Sequence, residues 1–391
     1  MRVALLAWDY PPAPSGLSTA AQEIAMSLVA AGAEVTVFTL DRTGREHQDG
    51  VAIVGCAIAP ASRLGRLRLY GGAGHLAAPA AFRRAVLAEH RRAPFDLVEA
   101  TNWYAPAGLL SGRAPLAVVT RHSTPAAFSR DPARTLRDRF DGWAADRLER
   151  RQARHSAGLI SNTEDHGRRI FAEYGLAEGA VPHAVIGLSL PPERMARGSR
   201  APYPAEASPL RLLFVGRAEH RKGFDTILAA AALLAAERAA GAVPDFEIRL
   251  VGVPPGDLPA GASPLLRPLG RIGAEALEAE YAAAHAVLAP SRYESFGLVY
   301  QEGMAYGRPM IASAEDASAR HFIGATGAGR LAARNDDAAL ADAIRPILRD
   351  PALRAGLRDR ALAAAGRFSR ATLGAETLAL YAAAIAGFQA R

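Results

Sequence analysis

Residues 286–311 read AVLAPSRYESFGLVYQEGMAYGRPMI, and the reading of this stretch decides the fold. Residues 286–289 form an apolar run of buried-strand length, closed by Pro290 and Ser291. Residues 292–297 are polar and read as a loop. A helical pattern opens at Leu298, Gly307 stops it, and Pro309 prevents its continuation. The apolar run 309–312 reads as the next strand. Strand, loop, helix and strand make a βαβ unit, and ligands of such sheets bind beyond the carboxyl ends of the strands. Two carboxylates mark the unit, Glu294 in the loop and Glu302 in the helix, with seven residues between them. Leu298 and Val299 open the helix, where unpaired N–H groups and the positive end of the dipole suit a phosphate. Glu302 lies one turn further on, roughly 6 Å along the axis. An anion at the helix start would have a carboxylate on each side. A nucleoside diphosphate sugar has that order of hydroxyls, phosphates and hydroxyls, and carboxylates accept hydroxyl hydrogen bonds well. The competing reading is a solvated loop glutamate and a surface helix glutamate.

The segment PSRYESFGLVYQEGMAYGRPMIAS resembles the signature of retaining GT-B-fold glycosyltransferases, the family 4-like, group 1 enzymes that include relatives of sucrose and glycogen synthases. Glu294, Phe296, Gly297, Glu302, Gly307 and Pro309 stand at the positions of that pattern. A second match lies in GRAEHRKGFD, where Gly216, Arg217, Lys222 and Gly223 fit a Gly-Arg, four residues, Lys-Gly pattern. Arg217 and Lys222 would set two cations at a strand end, where a diphosphate leaving group gathers charge. Lys222 is the only lysine in a chain rich in arginine. A compact point charge in place of a planar fork suits a crowded phosphate pocket.

The chain of 391 residues is long for one core and suits two domains. Cys56 is the single cysteine, so no internal disulfide forms and nothing points to secretion. The apolar opening MRVALLAW is too short for a signal peptide, and the apolar run 227–236 is too short to span a bilayer. The reading is therefore a cytoplasmic chain, soluble or peripheral at the inner face of the membrane. Net charge is +7, shared between the two halves, with no nucleic-acid module. A mild positive field suits anionic substrates or an anionic membrane surface, although a coding bias towards Ala and Arg explains part of it.

The first half starts as a doubly wound fold: strand 2–6, loop 9–18, helix 19–31 capped by Gly32, strand 35–40. No G-x-G-x-x-G follows the first strand, which excludes a nicotinamide or flavin fingerprint. The resemblance sets the donor diphosphate against this loop, normally through two adjacent glycines. Here Gly16 stands alone between Ser15 and Leu17. Strands 95–100 and 116–120 end at Asn102 and at His122, so both ends point into one crevice. The resemblance implies a histidine at the place of His122, near the reacting sugar and acceptor. Asn102, Trp103 and Tyr104 are candidates for the acceptor wall. Residues 130–155 are a charge-laced helical stretch that reads as a solvated face, with a membrane or partner surface as the alternative.

Residues 191–209 lack periodicity and read as the linker between an acceptor domain, 1–190 with 371–391, and a donor domain, 210–370. The segment LGRI ending at Ile272 resembles the stretch where relatives hold the nucleobase. The resemblance thus implies an α/β, GT-B architecture. Two Rossmann-like doubly wound domains would face across a cleft, with the C-terminal helix crossing back to the first. It implies a retaining hexosyltransferase that moves a hexose from a nucleotide diphosphate sugar, UDP favoured over GDP, to a hydroxyl acceptor: a glycolipid, a polysaccharide or a small molecule. His122, Arg217, Lys222 and Glu294 would be catalytic. Gly16, Ile272, Phe296, Gly297, Leu298, Val299 and Glu302 would bind donor beside the last three of these. No Asp-x-Asp pair or other ligand cluster is present, so no metal and no cofactor is expected. The rival readings are an epimerase or hydrolase on the same fold, and a non-catalytic sugar-nucleotide-binding subunit.

Overall fold

The computed structural model describes residues 1–391 except 14, 113, 114, 131 and 391, and leaves the side chains of 69 and 70 undescribed. The chain forms two compact units, Met1–Ser189 with Phe368–Arg391, and Leu190–Arg367.

The first unit runs β1 (Arg2–Ala7), α1 (Gly16–Ala30), β2 (Glu34–Thr39), β3 (Thr43–Gln48), β4 (Val51–Cys56), α2 (Arg63–Leu67) and a 3-10 segment over Arg68–Leu76. It continues with α3 (Ala77–Arg92), β5 (Leu97–Thr101), β6 (Ala117–His122), α4 (Ala126–Ser129), α5 (Leu136–Arg154), β7 (Gly158–Ser161), α6 (Glu164–Tyr174) and β8 (His183–Val185). The sheet order is β3-β4-β2-β1-β5-β6-β7-β8. Every pair is parallel except the β3–β4 hairpin. Central strands are buried on both faces, and so read as continuous apolar runs. β3 is exposed at all six residues, which is why TGREHQ carries no strand signal in the sequence. α6 is delimited by local chemistry. Thr163 caps it, Glu164 and Asp165 fill its first turn, and Gly175 ends it in the left-handed region at φ 58°.

The second unit opens with α7 (Pro192–Arg200) and β9 (Leu210–Val215), followed by α8 (Phe224–Ala239), β10 (Phe246–Val251), β11 (Leu266–Gly270), α9 (Ala274–Ala283) and β12 (Ala286–Ala289). Then come α10 (Leu298–Ala305), β13 (Met310–Ser313), α11 (Ala317–Ala319), β14 (Gly329–Ala332), α12 (Asp337–Arg349) and α13 (Pro351–Ala365). Its sheet is parallel, in the order β11-β10-β9-β12-β13-β14. α7 corrects the expectation of an unpatterned linker over 191–209. Its inward residue is Gly198, where a Cβ would lie 2.7 Å from the Ala305 carbonyl oxygen. Arginines then do the docking, Arg194 on Glu302 and Arg197 on Glu278. A helix held by a glycine face and ion pairs leaves no apolar stripe to read.

The last helix, α14 (Arg370–Gln389), belongs to the first unit. It packs on α1, with Gly374 so close that a Cβ would sit 2.3 Å from the Ser27 carbonyl oxygen. Glu23 of α1 takes a hydrogen bond from Arg370 at 2.5 Å. Tyr381 donates to Glu99 of β5, whose carboxylate also binds Arg121 of β6 at 2.7 Å. Among the described residues α14 alone is long and apolar enough, on length and composition, to cross a bilayer. Its Leu373, Thr377, Leu380, Tyr381 and Ala384 are nonetheless buried within the unit.

In each sheet the strand order reverses about the first strand of the unit. β1 lies between β2 and β5, and β9 lies between β10 and β12. The loops leaving β1 and β5, and those leaving β9 and β12, therefore diverge over a crevice, the position where open α/β sheets bind ligands.

Candidate active site

At the switch point of the second unit the loops after β9 and β12 close on each other. Gly223, with φ 71°, lets them meet, because a Cβ there would lie 2.1 Å from the Pro290 carbonyl oxygen. Lys222 reaches across and binds the Glu294 carboxylate. Glu294 also accepts from Ser291 Oγ at 2.8 Å and from Arg221 at 3.4 Å. Arg221 and Arg217 share Glu219, at 3.4 and 2.8 Å, so the basic motif is laced into one chain of ion pairs. Burial alone would raise the Glu294 carboxyl; Lys222 and then Arg221 override it and hold the group below the ordinary carboxylate range.

Beneath this pair stands Asp316, after β13. It accepts from the Glu294 backbone N–H at 2.9 Å, from Tyr300 Oη at 2.8 Å and from the Ala319 N–H at 3.0 Å. Burial and then the charge on Glu294 push its carboxyl up to about 6. Phe296 packs edge-on against Phe322. Gly297 takes φ 89°, where no side chain would fit against the Tyr300 ring, and turns the chain into α10. No side chain caps that helix start at Leu298 and Val299.

Arg217 stands on the same loop as Lys222, with its side chain 67% exposed. Ile272 follows β11, at the same end of the sheet, where the Gly252 N–H donates to the Gly270 carbonyl at 2.7 Å. Glu302 does not join Glu294. It pairs with Arg194 at 2.7 Å and accepts from Tyr281 Oη at 2.7 Å. Arg221 and Asp316, which both meet Glu294, stand at no position of the sequence motifs. Asp316 is the side-chain cap of the short α11, and that was its only local signal.

The switch point of the first unit holds an aromatic hollow of about 360 Å³, lined among others by Trp8, Arg68, His75, Trp103, Tyr104 and Arg137. Trp8 Nε1 donates to the Trp103 carbonyl at 2.9 Å, and the His75 ring stacks on Tyr104 at 5.2 Å. Tyr104 and Ala105 hold positive φ of 51° and 49°, a strained turn for residues with side chains. Glu149 of α5 fastens that turn by accepting from the Tyr104 N–H at 2.8 Å and from Tyr174 Oη at 2.6 Å. Asn102 lies behind the hollow, fully buried, donating to Tyr174 Oη at 2.8 Å and accepting from the Ser123 N–H at 2.6 Å. Gly16 opens α1 over the Ser15 cap, and a methyl group there would meet nothing.

His122 is placed otherwise than the sequence suggested. It has no exposed surface, its Nδ1 lies 3.2 Å from Ser161 Oγ, and Phe171 and Tyr174 close over its ring. Burial, then His166 and His183, drive its pKa well below the ordinary value, so it is neutral at pH 7. A strand-end position alone did not say which way the ring turns.

Burial pushes the Glu149 carboxyl up to about 7. A raised acid binds its proton more tightly in the folded state, so its contribution is full below the unfolded value and is lost as pH climbs towards 7. Glu149→Gln removes this loss. The variant should gain about 3 kcal/mol relative to the parent between pH 4.5 and 8, read from urea unfolding at each pH. A constant difference across that range would refute the assignment.

A cationic loop, an uncapped helix start and the buried Glu294 stand together at the crevice of a parallel sheet, the layout of a doubly wound ligand-binding domain. Comparison with known proteins agrees. Residues 198–363 match the model for glycosyl transferases group 1, and residues 15–182 match that for a glycosyl transferase 4-like domain. A D-inositol 3-phosphate glycosyltransferase of Geodermatophilus obscurus is 30% identical over 388 residues, 90% of this chain and 82% of that one. Sucrose-phosphate synthase from Thermosynechococcus elongatus superposes with a TM-score of 0.73 at 22% identity, over 97% of this chain and 98% of that one. Anabaena HepE, solved with UDP and glucose, superposes with a TM-score of 0.65 at 18% identity, over 97% and 99%. The chain belongs to the GT-B, family 4-like glycosyltransferases and is a hexosyltransferase.

Proposed function

We propose that this enzyme moves a hexose, with retention at the anomeric carbon, from a nucleotide diphosphate sugar to a hydroxyl acceptor, without a metal ion. UDP is the favoured nucleotide and GDP the alternative. The observation that carries the reading is the meeting of Lys222 and Glu294 over the crevice beside β9 and β12. In the reaction the bond from the anomeric carbon to the diphosphate oxygen breaks, the acceptor oxygen bonds to that carbon, and the acceptor proton passes to the leaving phosphate. Lys222 and Arg217 neutralise the charge that builds on the diphosphate, and the Leu298 and Val299 N–H groups meet its oxygens. Glu294 directs the Lys222 ammonium through their hydrogen bond. Glu302 takes ribose hydroxyls, with Arg194 and Tyr281 fixing its carboxylate. The aromatic hollow around Trp103 and Tyr104 supplies ring faces for a polyhydroxylated acceptor. The relative's action on an inositol phosphate and the UDP in the Anabaena structure support the sugar-nucleotide donor and the polyol-like acceptor class.

A thermal-shift series with UDP-, GDP- and ADP-sugars tests the donor, since a ligand that binds only the folded state raises the melting point by mass action. UDP-sugar should give the largest shift, in EDTA as in buffer, and Glu302→Ala should shrink it and raise the donor KM. Equal shifts for all three, or a shift and transfer abolished by EDTA, would overturn the donor and metal assignments respectively.

A further inference from the structure

Among the described residues six large apolar side chains are exposed, and three of them, Leu136, Phe140 and Trp143, stand on α5 at 81%, 55% and 56% exposure. Their spacing continues along the helix as Arg147, Arg150 and Arg154. Alternating steps of four and three residues keep all six on one stripe of the helix. The first half of the stripe is apolar and the second half is arginine. Phe140 and Trp143 stack at 5.7 Å, and the Arg147 guanidinium lies over the Trp143 ring at 5.6 Å. The opposite side of α5 is the one that faces the unit, through Ala144, Ala145, Glu149, Gln152 and Ala153. The stripe is thus not misplaced core.

The surroundings are basic. Arg134, Arg137 and Arg139 are exposed at the start of α5, and Arg63, Arg66 and Arg68 are exposed on α2 and on the 3-10 segment that packs against α5. Of the acids on this part of α5, Asp138 closes the capping box with Thr135, Asp146 is paired with Arg130, and Asp141 faces His75 at 3.5 Å.

We propose that this stripe docks the enzyme on an anionic lipid bilayer, with Leu136, Phe140 and Trp143 entering the headgroup boundary and the arginines resting on lipid phosphates. The hollow of about 460 Å³ beside the stripe is lined by Trp143, Asp146, His155 and four arginines, so it suits an anionic headgroup and not an apolar peptide. Arginines spread over three elements match a plane of negative headgroups, which meets all of them at once. Interfacial helices combine just this apolar edge with a cationic face. The proposal does not depend on the donor reading.

Flotation of the full chain with phosphatidylcholine vesicles, with and without phosphatidylglycerol, tests it. Binding should require phosphatidylglycerol and weaken in high salt. Trp143 emission should shift to the blue on binding, and Trp143→Phe should lose that shift. Leu136→Ser with Trp143→Ser leaves Phe140 on its packing against Gly72, and should cut vesicle binding at least tenfold while the melting temperature holds. Arg139→Gln with Arg147→Gln should cut it roughly 20-fold. Absence of flotation, or flotation indifferent to both double variants, would overturn the proposal. So would a dimer by light scattering that the Leu136–Trp143 variant splits, or capture of polyglutamate in preference to vesicles.

Discussion

Replacing Lys222 by alanine is expected to lower kcat/KM by 100- to 1000-fold, an effect of about 3–4 kcal/mol on the transition state. The ammonium is held at the crevice by Glu294, and its side chain is only 19% exposed. It stands where a departing diphosphate would need a fixed cation, and no other lysine exists in the chain to replace it. Lys222→Arg should recover little, because a planar fork does not fit a site shaped for a point charge. The fold should survive, since Glu294 retains Ser291 and Arg221 as partners. Steady-state kinetics beside a melting curve separates the two effects. A folded variant with near-normal turnover would remove Lys222 from the reaction.

The second large effect is on stability. Glu294→Gln strips the counter-charge from Lys222 and Arg221 while leaving the side-chain shape, and should cost the second unit about 3 kcal/mol, in the range for breaking a buried ion pair. The dependence on pH fixes the cause. The Glu294 carboxyl lies below its ordinary value, so its contribution is present above the unfolded value and disappears as pH falls through the folded one. The difference between parent and variant should therefore be largest near neutral pH and shrink in acid. Activity should fall too, because the lysine loses the group that aims it. An unchanged urea midpoint at pH 7 would mean that this carboxylate holds nothing together.

Much of the second unit was legible beforehand. β12 occupies the expected residues 286–289, because strands buried on both faces announce themselves as short apolar runs between turn residues. α10 opens at Leu298 as expected. Its exit at Gly307 has φ 62°, where only glycine is unstrained. The hidden elements share another feature: their burial is not written in local periodicity. β3 is an all-polar edge strand, and α7 is held by Gly198 and arginines. The site divides in the same way. Lys222 and Glu294 carry motif spacing, whereas Trp8, Glu149 and Asp316 acquire their roles from partners far along the chain.

The sequence by itself determined two parallel α/β sheets, the loop that carries the cations, and the carboxylate opposite it. Each of these depends on neighbours within a few residues, on apolar runs, on helix stops, and on charges at strand ends. Only the tertiary structure decided where the rings and carboxylates turn. It buried His122, drew Glu302 away to Arg194, set Asp316 under Glu294 and left Leu136, Phe140 and Trp143 outside. The physical reason is that a side chain's direction and charge state follow from what packs against it, and those partners lie up to hundreds of residues away in the chain.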